Sequence, residues 1–317
     1  MLSATGLFLL GLLLLLLGGD SLVKGASGFA QRLGLSPFAA GLLLIASATS
    51  VPELAVNAYA LGVGQTDLAL GNAIGSNIVN IGLTLGIAAV AAPMLIRMRL
   101  LAAQVVFILV ATGVLVFLGR DGGLTRWEGG LLLLGFLGSM VFLFRRGRSE
   151  SAEVQAELAQ YAETSTGLAQ NLVRLGFAAG LLFYGSRLVI ASAPLLGQSL
   201  GFGPLLTGLI LVAVGTALPE IVVAVMLARQ GKGNVVVGQA LGACLFNVLF
   251  IVGGMAAIRP LPLPASFVSF ELPAAMAFAL LLFPVLDGDM RIDRREGGLL
   301  TGLFLLWLGF ELFSAWH

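Results

Sequence analysis

Glu53 and Glu220 are the residues of this sequence best placed to do chemistry. Each follows a proline, Pro52 or Pro219, and each stands four positions after a threonine, Thr49 or Thr216. Both lie in long apolar runs, where an ionised side chain is expensive and usually marks function. Proline lacks an N–H and crowds the carbonyl four residues earlier, so a spanning helix is expected to break near Pro52 and again near Pro219. The carbonyls of residues 46–49 and 213–216, those of Ala46 and Ala213 among them, then need partners in a medium without water. A cation can satisfy them. The carboxylates, the two threonine hydroxyls and the amides of Asn80 and Asn247 would complete the shell, each amide 27 residues beyond its glutamate. Such a cage is all oxygen, and Ca2+ takes six to eight oxygens at about 2.3–2.6 Å. Two apposed carboxylates also require counter-charge in low dielectric. The pocket must therefore carry about two positive charges across the membrane, as one Ca2+ or as Na+ or protons in its place. Competition for shared carboxylates is enough to make an antiporter.

A structural kink would explain one Pro-Glu step, but here there are two in matching surroundings. A shift of 167 residues lays Gly34 on Gly201, Pro37 on Pro204 and Gly41 on Gly208, and then Thr49, Pro52 and Glu53 on Thr216, Pro219 and Glu220. Gly71, Gly75, Asn80 and Gly86 fall on Gly238, Gly242, Asn247 and Gly253, with no gap needed. The Gly-x-x-x-Gly spacing at 71/75 and 238/242 suits close helix approach.

The elements that must hold these residues are membrane helices. Of 317 residues, 58% are hydrophobic and 10% charged, against about a quarter charged in a soluble domain. Runs long enough to cross the hydrocarbon core predict about ten spans, at 4–31, 36–63, 67–91, 98–118, 124–144, 169–197, 202–229, 234–257, 264–286 and 295–316. The opening run reads as the first span, not as a signal peptide. The chain is thus an all-α membrane protein of two five-helix halves, 1–144 and 172–317, joined by a polar linker at 145–171. An odd number of helices per half makes the second half enter from the opposite side, the inverted repeat of many secondary transporters. Twelve of the 17 Lys and Arg fall in loops on the linker's side and three on the other. Basic residues favour the cytoplasm, so the linker is expected there and both termini outside. The linker acids Glu150, Glu153, Glu157 and Glu163 fit a solvated connector or a short surface helix better than a calcium site. A single cysteine, Cys244, and a single histidine, His317, exclude a disulfide framework and an all-imidazole metal site. A net charge of +1 offers nothing to nucleic acid.

The stretches 47–80, "SATSVPELAVNAYALGVGQTDLALGNAIGSNIVN", and 213–247, "AVGTALPEIVVAVMLARQGKGNVVVGQALGACLFN", resemble the paired signature repeats of the cation/calcium exchanger superfamily, prokaryotic sodium/calcium exchanger type. The resemblance implies the sodium/calcium exchanger fold and a central calcium site at Glu53, Glu220, Thr49 and Thr216. It implies sodium sites using Ser50, Ser76, Asn80, Asn247 and the carbonyls of Ala46 and Ala213. It further implies that the first and sixth helices slide across the core. The chain departs from the pattern at Ala217 and Ala243, which face Ser50 and Ser76 at the repeat offset, and at Ala48, where glycine is usual. Asn247 stands where many relatives carry aspartate. The second-half sodium site thus lacks two hydroxyls.

The function expected is export of Ca2+ across the plasma membrane against inward Na+, by a monomer in the lipid bilayer, with no cofactor beyond the transported ions. Exchange for H+ by the same fold is the alternative. A cation channel fits less well, because paired buried carboxylates bind too tightly for rapid passage and no carbonyl filter is visible. No motif of a membrane enzyme is present. The linker is too short for the large regulatory calcium domain of animal relatives. Of the remaining polar residues, Asp20 and Lys24 read as a self-neutralising i,i+4 pair and Arg187 as a snorkelling or paired side chain. Glu271 and Glu311 lie outside the repeat, and Cys244 reads as a small packing residue.

Overall fold

The structure, a computed structural model, describes residues 2–47, 50–287 and 290–316. Ala48, Thr49 and His317 lie outside the described residues. The fold is all-α: α1 (Leu2–Arg32), α2 (Pro37–Ser47), α3 (Val51–Gly62), α4 (Thr66–Ile78), α5 (Gly86–Ala91), α6 (Leu100–Leu118), α7 (Arg126–Gly147) and a short α8 (Ala152–Tyr161). Then follow α9 (Leu168–Ser199), α10 (Pro204–Leu206), α11 (Ala213–Arg229), α12 (Gly233–Leu245), α13 (Gly253–Ile258), α14 (Leu272–Asp287) and α15 (Arg294–Trp316). Eight helical segments among the described residues are long and apolar enough to cross a membrane. The bent pair α2–α3 makes a ninth candidate, and the shorter apolar helix Phe267–Phe283 falls below that length.

Elements recur at the offset seen in the sequence. α4 continues through a π-helical stretch, Val79–Leu85, into α5, and α12 continues through Phe246–Val252 into α13. Both π stretches lie 167 residues apart, as do the two-residue strands β1 (Met94–Leu95) and β3 (Leu261–Pro262). These strands pair across the halves and antiparallel, β1 with β4 (Arg291–Ile292) and β3 with β2 (Gly123–Leu124). Two helices open on the same reciprocal cap. Thr125 and Glu128 cap α7, and Asp293 and Glu296 cap α15. The backbone N–H groups of Glu296 and Arg295 hold the Asp293 carboxyl below its usual range.

Two segments form the centre. The span Thr66–Ala91 is 83% buried and Gly233–Ile258 is 94% buried, whereas the other spans are 22–44% buried. Protein rather than lipid surrounds these two, so they can carry Asn72, Ser76, Asn77, Asn80, Gln239 and Asn247. Lipid-facing helices show the opposite pattern: on α7, Leu131, Leu134, Leu137 and Val141 are exposed in one stripe. α1 lies along α9, with Gly11, Gly18 and Gly185 at the contact.

The paired glycines make the central packing possible. A Cβ on Gly75 would collide with the Leu209 carbonyl, and one on Gly242 with the Ile45 carbonyl. Neither neighbour is a flexible side-chain end that could give way. Gly242→Ala is therefore expected to lower the thermal unfolding midpoint by several degrees, since overpacking a core costs about 1–3 kcal/mol. An unchanged midpoint in a thermal-shift assay would show that these helices separate freely.

The second proline behaves differently from the sequence reading. Helix α2 ends before Ser50, and Pro52 opens α3 at its first turn, so the break falls near Pro52 as expected. At Pro219 there is no break. α11 runs straight through it, and the irregularity lies upstream, in the π-helical stretch Thr207–Val212. The Thr216 hydroxyl donates to the carbonyls of Val212 and Ala213 (3.1 and 3.2 Å), occupying acceptors that a broken helix would have left free.

The linker is more than a solvated connector. Val154 and Leu158 of α8, with Ala162, are buried against α2 and α12. Its acids serve the core: Glu150 accepts from the Leu100 N–H at the start of α6 (2.9 Å), Glu157 accepts from Asn234 (2.6 Å), and Glu153 pairs with Arg97.

Candidate functional site

The site is built where the break between α2 and α3 meets α11 and the two central helices. A cavity of about 20 Å3 is lined by Ser50, Glu53, Asn80, Thr84, Glu220, Ala224, Val236, Gln239, Ala240 and Ala243. That volume holds about one water-sized particle. Glu53 reaches it because Pro52 starts α3 and so places the carboxylate in the first helical turn. Glu220 comes from the middle of α11, and Asn80 and Thr84 from the π-helical stretch after α4.

The oxygens here lack partners. Among the described residues, Ser50 Oγ, Glu53 Oε2, Ser76 Oγ, Thr84 Oγ1, Glu220 Oε2 and Asn247 Oδ1 are buried without a hydrogen bond. Leaving a buried polar group unsatisfied costs about 1–3 kcal/mol, and more for a charged one. So many orphans in one neighbourhood point to a shared partner. All six are oxygens, and a cation is the partner that oxygens share. The set has only two carboxylates, and no group of three or more His, Cys, Asp or Glu occurs among the described residues. Neutral oxygens must therefore fill most of any coordination shell.

The other expected ligands divide. Ser50, Glu53, Glu220 and Asn80 line the small cavity together. Thr216 lies beside Glu53, but its hydroxyl proton is already given to its own helix. Ser76 and Asn247 are fully buried next to the cavity without lining it. Asn247 Nδ2 donates to Asn77 Oδ1 (3.0 Å), and Asn77 Nδ2 donates to the Cys244 carbonyl (3.2 Å), while the Cys244 thiol faces the Asn77 carbonyl (3.7 Å). Asn77 and Cys244 are repeat partners, so this reciprocal contact ties the two central helices at their crossing. The Ala46 carbonyl belongs to the last turn of α2, and Thr49 lies outside the described residues.

Two lining residues escaped the sequence reading. Thr84 stands four residues after Asn80, a spacing that puts both on one helix face, so the signal was present. Gln239 is the repeat partner of Asn72 and sits beside Gly238 in the second signature stretch. It lines the small cavity and also a second one of about 320 Å3. This larger cavity is bounded by α1 at Leu12, Gly19, Asp20 and Lys24, by the linker at Tyr161–Thr164, and by Pro219 and Glu220. Glu220 and Gln239 are thus shared between the cage and a wider vestibule on the linker's side. Asp20 and Lys24 form an exposed ion pair at 2.8 Å along that vestibule, and Arg187 is exposed. Gln239 Nε2 donates to the Tyr161 hydroxyl. Burial pushes that phenol up to about 12, so it stays neutral and keeps its proton to donate.

The chain is similar to known proteins over nearly its whole length. The putative antiporter CaxA of Alkalimonas amylolytica is 34% identical over 314 residues, covering 96% of this chain and 97% of its own. The sodium/calcium exchanger MaX1 of Methanosarcina acetivorans is 28% identical over 339 residues, covering 95% and 96%. Among solved structures, the sodium-calcium exchanger NCX_Mj soaked with Na+ and Sr2+ superposes with a TM-score of 0.68 at 26% identity, over 97% of this chain and 98% of that one. The profile of the family described as sodium/calcium exchanger protein matches twice, at residues 3–145 and 171–313. With its helical fold, its break at Pro52 and its all-oxygen cage, the chain belongs to the sodium/calcium exchanger family, a family of membrane transporters rather than enzymes.

Proposed function

We propose that this cation/Ca2+ antiporter exports Ca2+ from the cytoplasm against inward Na+ across the plasma membrane, by alternating access. The observation that carries the reading is the cage itself. Glu53 and Glu220 meet at a cavity of one-ion size whose surrounding oxygens lack partners, and Glu220 also faces a vestibule. One Ca2+ or its monovalent equivalents can neutralise the two carboxylates, so the ions exclude one another and exchange follows. The calcium ligands proposed are Glu53, Glu220, Thr49 and Thr216. Sodium would draw on Ser50, Ser76, Asn80, Asn247 and the carbonyls of Ala46 and Ala213, with Thr84 added by its place in the wall. The twofold family match and the recurrence of elements at 167 residues support two inverted halves, 1–144 and 172–317, with linker 145–171. The charge bias supports a cytoplasmic linker and external termini, which makes the vestibule inward-facing. The unit is a monomer. Reconstituted protein should take up radiocalcium when loaded with Na+ and not without it; uptake indifferent to any counter-ion gradient would remove the antiport reading.

Proton coupling is a second reading, favoured by one residue. Ala243, the partner of Ser76, lines the cage wall, whereas Ala217 is buried off it. A missing hydroxyl at 243 affects Na+ more than Ca2+, because a monovalent ion depends on neutral oxygens. Ala243→Ser is expected to raise apparent Na+ affinity about tenfold, the worth of 1.4 kcal/mol, with little change for Ca2+. The check is Ca2+ flux against stepped Na+ at fixed pH, then against stepped pH without Na+. A wild-type flux that follows pH alone would identify H+ as the driving ion.

A further inference from the structure

Two more glutamates lie near each other at the outer ends of the last two helices, away from the cage. Glu271 closes the π-helical turn Phe267–Glu271 that leads into α14, and Glu311 lies on α15, five residues before Trp316. Phe270 and Phe310, their immediate chain neighbours, pack with ring centroids 4.9 Å apart. The two carboxylates are within electrostatic reach of each other. Glu271 is 4% exposed and Glu311 is 7% exposed, so both face protein and not lipid. Glu271 Oε2 and Glu311 Oε1 are each buried without a hydrogen-bond partner. The Trp307 indole N–H faces Glu311 without reaching hydrogen-bond geometry. Ser266, exposed at the outer end and beside Glu271, gives the place an opening to that side.

Among the described residues, no basic side chain forms an ion pair with either carboxylate. The ion pairs Lys24–Asp20 and Arg97–Glu153 lie on other elements, and Arg259, on the same side as Glu271, donates to the Thr66 hydroxyl (3.0 Å). Of the helices packed here, α4 carries one titratable residue, Asp67 at its outer start, and α6 carries none. Those of α15 besides Glu311, namely Arg294, Arg295 and Glu296, lie at its far end. The repeat partner of Glu271 is Gln104, fully buried and neutral, so the second half has a carboxylate where the first has an amide.

We propose that Glu271 and Glu311 form a second cation site, outside the exchange cage, that holds one positive charge, a proton or a sodium ion, between the two carboxylates. Two facing carboxylates in low dielectric cannot both stay charged alone. The oxygens available, four from the carboxylates and one from Ser266, fall short of the six to eight that Ca2+ takes. One monovalent charge satisfies both orphaned oxygens at once. The site opens outward and is independent of the cage, so it would couple the packing of α14 and α15 to external Na+ or pH.

The test uses the full chain with Glu53→Gln and Glu220→Gln, so that the cage carboxylates are silent. In nominally Na+-free buffer at neutral pH, infrared spectra should show a protonated-carboxyl band, and either Glu271→Gln or Glu311→Gln should remove it. If added Na+ abolishes the band while one radioactive Na+ binds per chain, the resident charge is sodium. If the band persists at high Na+, it is a proton. Glu271→Asp and Glu311→Asp keep the carboxyls, so they should shift the band or the Na+ affinity without abolishing it, which covers a glutamine variant that fails to fold. Absence of any band or Na+ binding that these substitutions alter would overturn the proposal. None of these readouts depends on transport through the cage.

Discussion

Glu53→Gln and Glu220→Gln are each expected to lower Ca2+ exchange by at least about 100-fold while leaving a folded protein, because removing one member of a buried charge set costs roughly 3–5 kcal/mol. Glutamine keeps the shape and one oxygen, so the packing of α3 and α11 should survive. What disappears is half the negative charge facing a divalent ion. The two substitutions should differ in detail. Glu53 sits only in the cage, whereas Glu220 also lines the vestibule. Loss of Glu220 should therefore slow ion entry from the linker's side in addition to weakening the bound state. The measurement is the initial rate of Na+-driven radiocalcium uptake per reconstituted molecule, beside a thermal unfolding curve for each variant. Near-normal exchange in either variant would falsify the shared-carboxylate mechanism.

Much of this cage could be read from residue types and spacing. The offset of 167 was visible in glycines, prolines and the Thr-x-x-Pro-Glu steps, and the same offset separates the π-helical stretches and β1 from β3. Other features depend on tertiary packing and left no trace. Pro52 and Pro219 are equivalent in sequence, yet only the first lies at a break. Thr216 donates to the carbonyls behind it, and the distortion moves into Thr207–Val212. A π-helical turn has no residue signature of its own, so its position could not be read. The linker's charge argues for a solvated connector or a surface helix, whereas Val154, Leu158 and Tyr161 at i, i+4 and i+7 mark one apolar helix face that packs inward. Charge density concealed that stripe, because the same segment carries the acids that cap α6 and bind Asn234.

That linker leads to the second large expected effect. Joining α1 to the linker by a short thiol crosslink between Ser27→Cys and Ala162→Cys should stop turnover and leave Ca2+ binding measurable. Ser27 donates to the Ala162 carbonyl (2.8 Å), and Gln31, one turn on, donates to the same carbonyl (2.8 Å). Ser27 and Ala162 both line the vestibule, whereas the native thiol of Cys244 is fully buried and lines neither cavity, so a reagent entering the vestibule meets the introduced pair. The reason to expect arrest lies in an asymmetry between repeat partners. Gly208, just after α10, lies against the Leu68 carbonyl of α4, while its partner Gly41 of α2 lies against the Leu158 carbonyl of α8. The residue of α12 equivalent to Leu68 is Val235. Helix α8 therefore occupies, beside Gly41, the place that the Val235 turn of α12 would take if the two halves exchanged roles. Alternating access in an inverted repeat is such an exchange. In the inverted-repeat reading, closing the vestibule requires α2 to leave α8 at Gly41 and extend the contact it already makes with α12 at Gly242 to the Val235 turn, while α1 slides away from Ala162. A crosslink at 27–162 forbids that movement without touching Glu53, Glu220 or the cage. Turnover in proteoliposomes should fall to background on crosslinking and return when a cleavable reagent is reduced, while Ca2+ binding in detergent stays near that of the uncrosslinked protein. Normal turnover after complete crosslinking would place the moving contact elsewhere than between α1 and the linker.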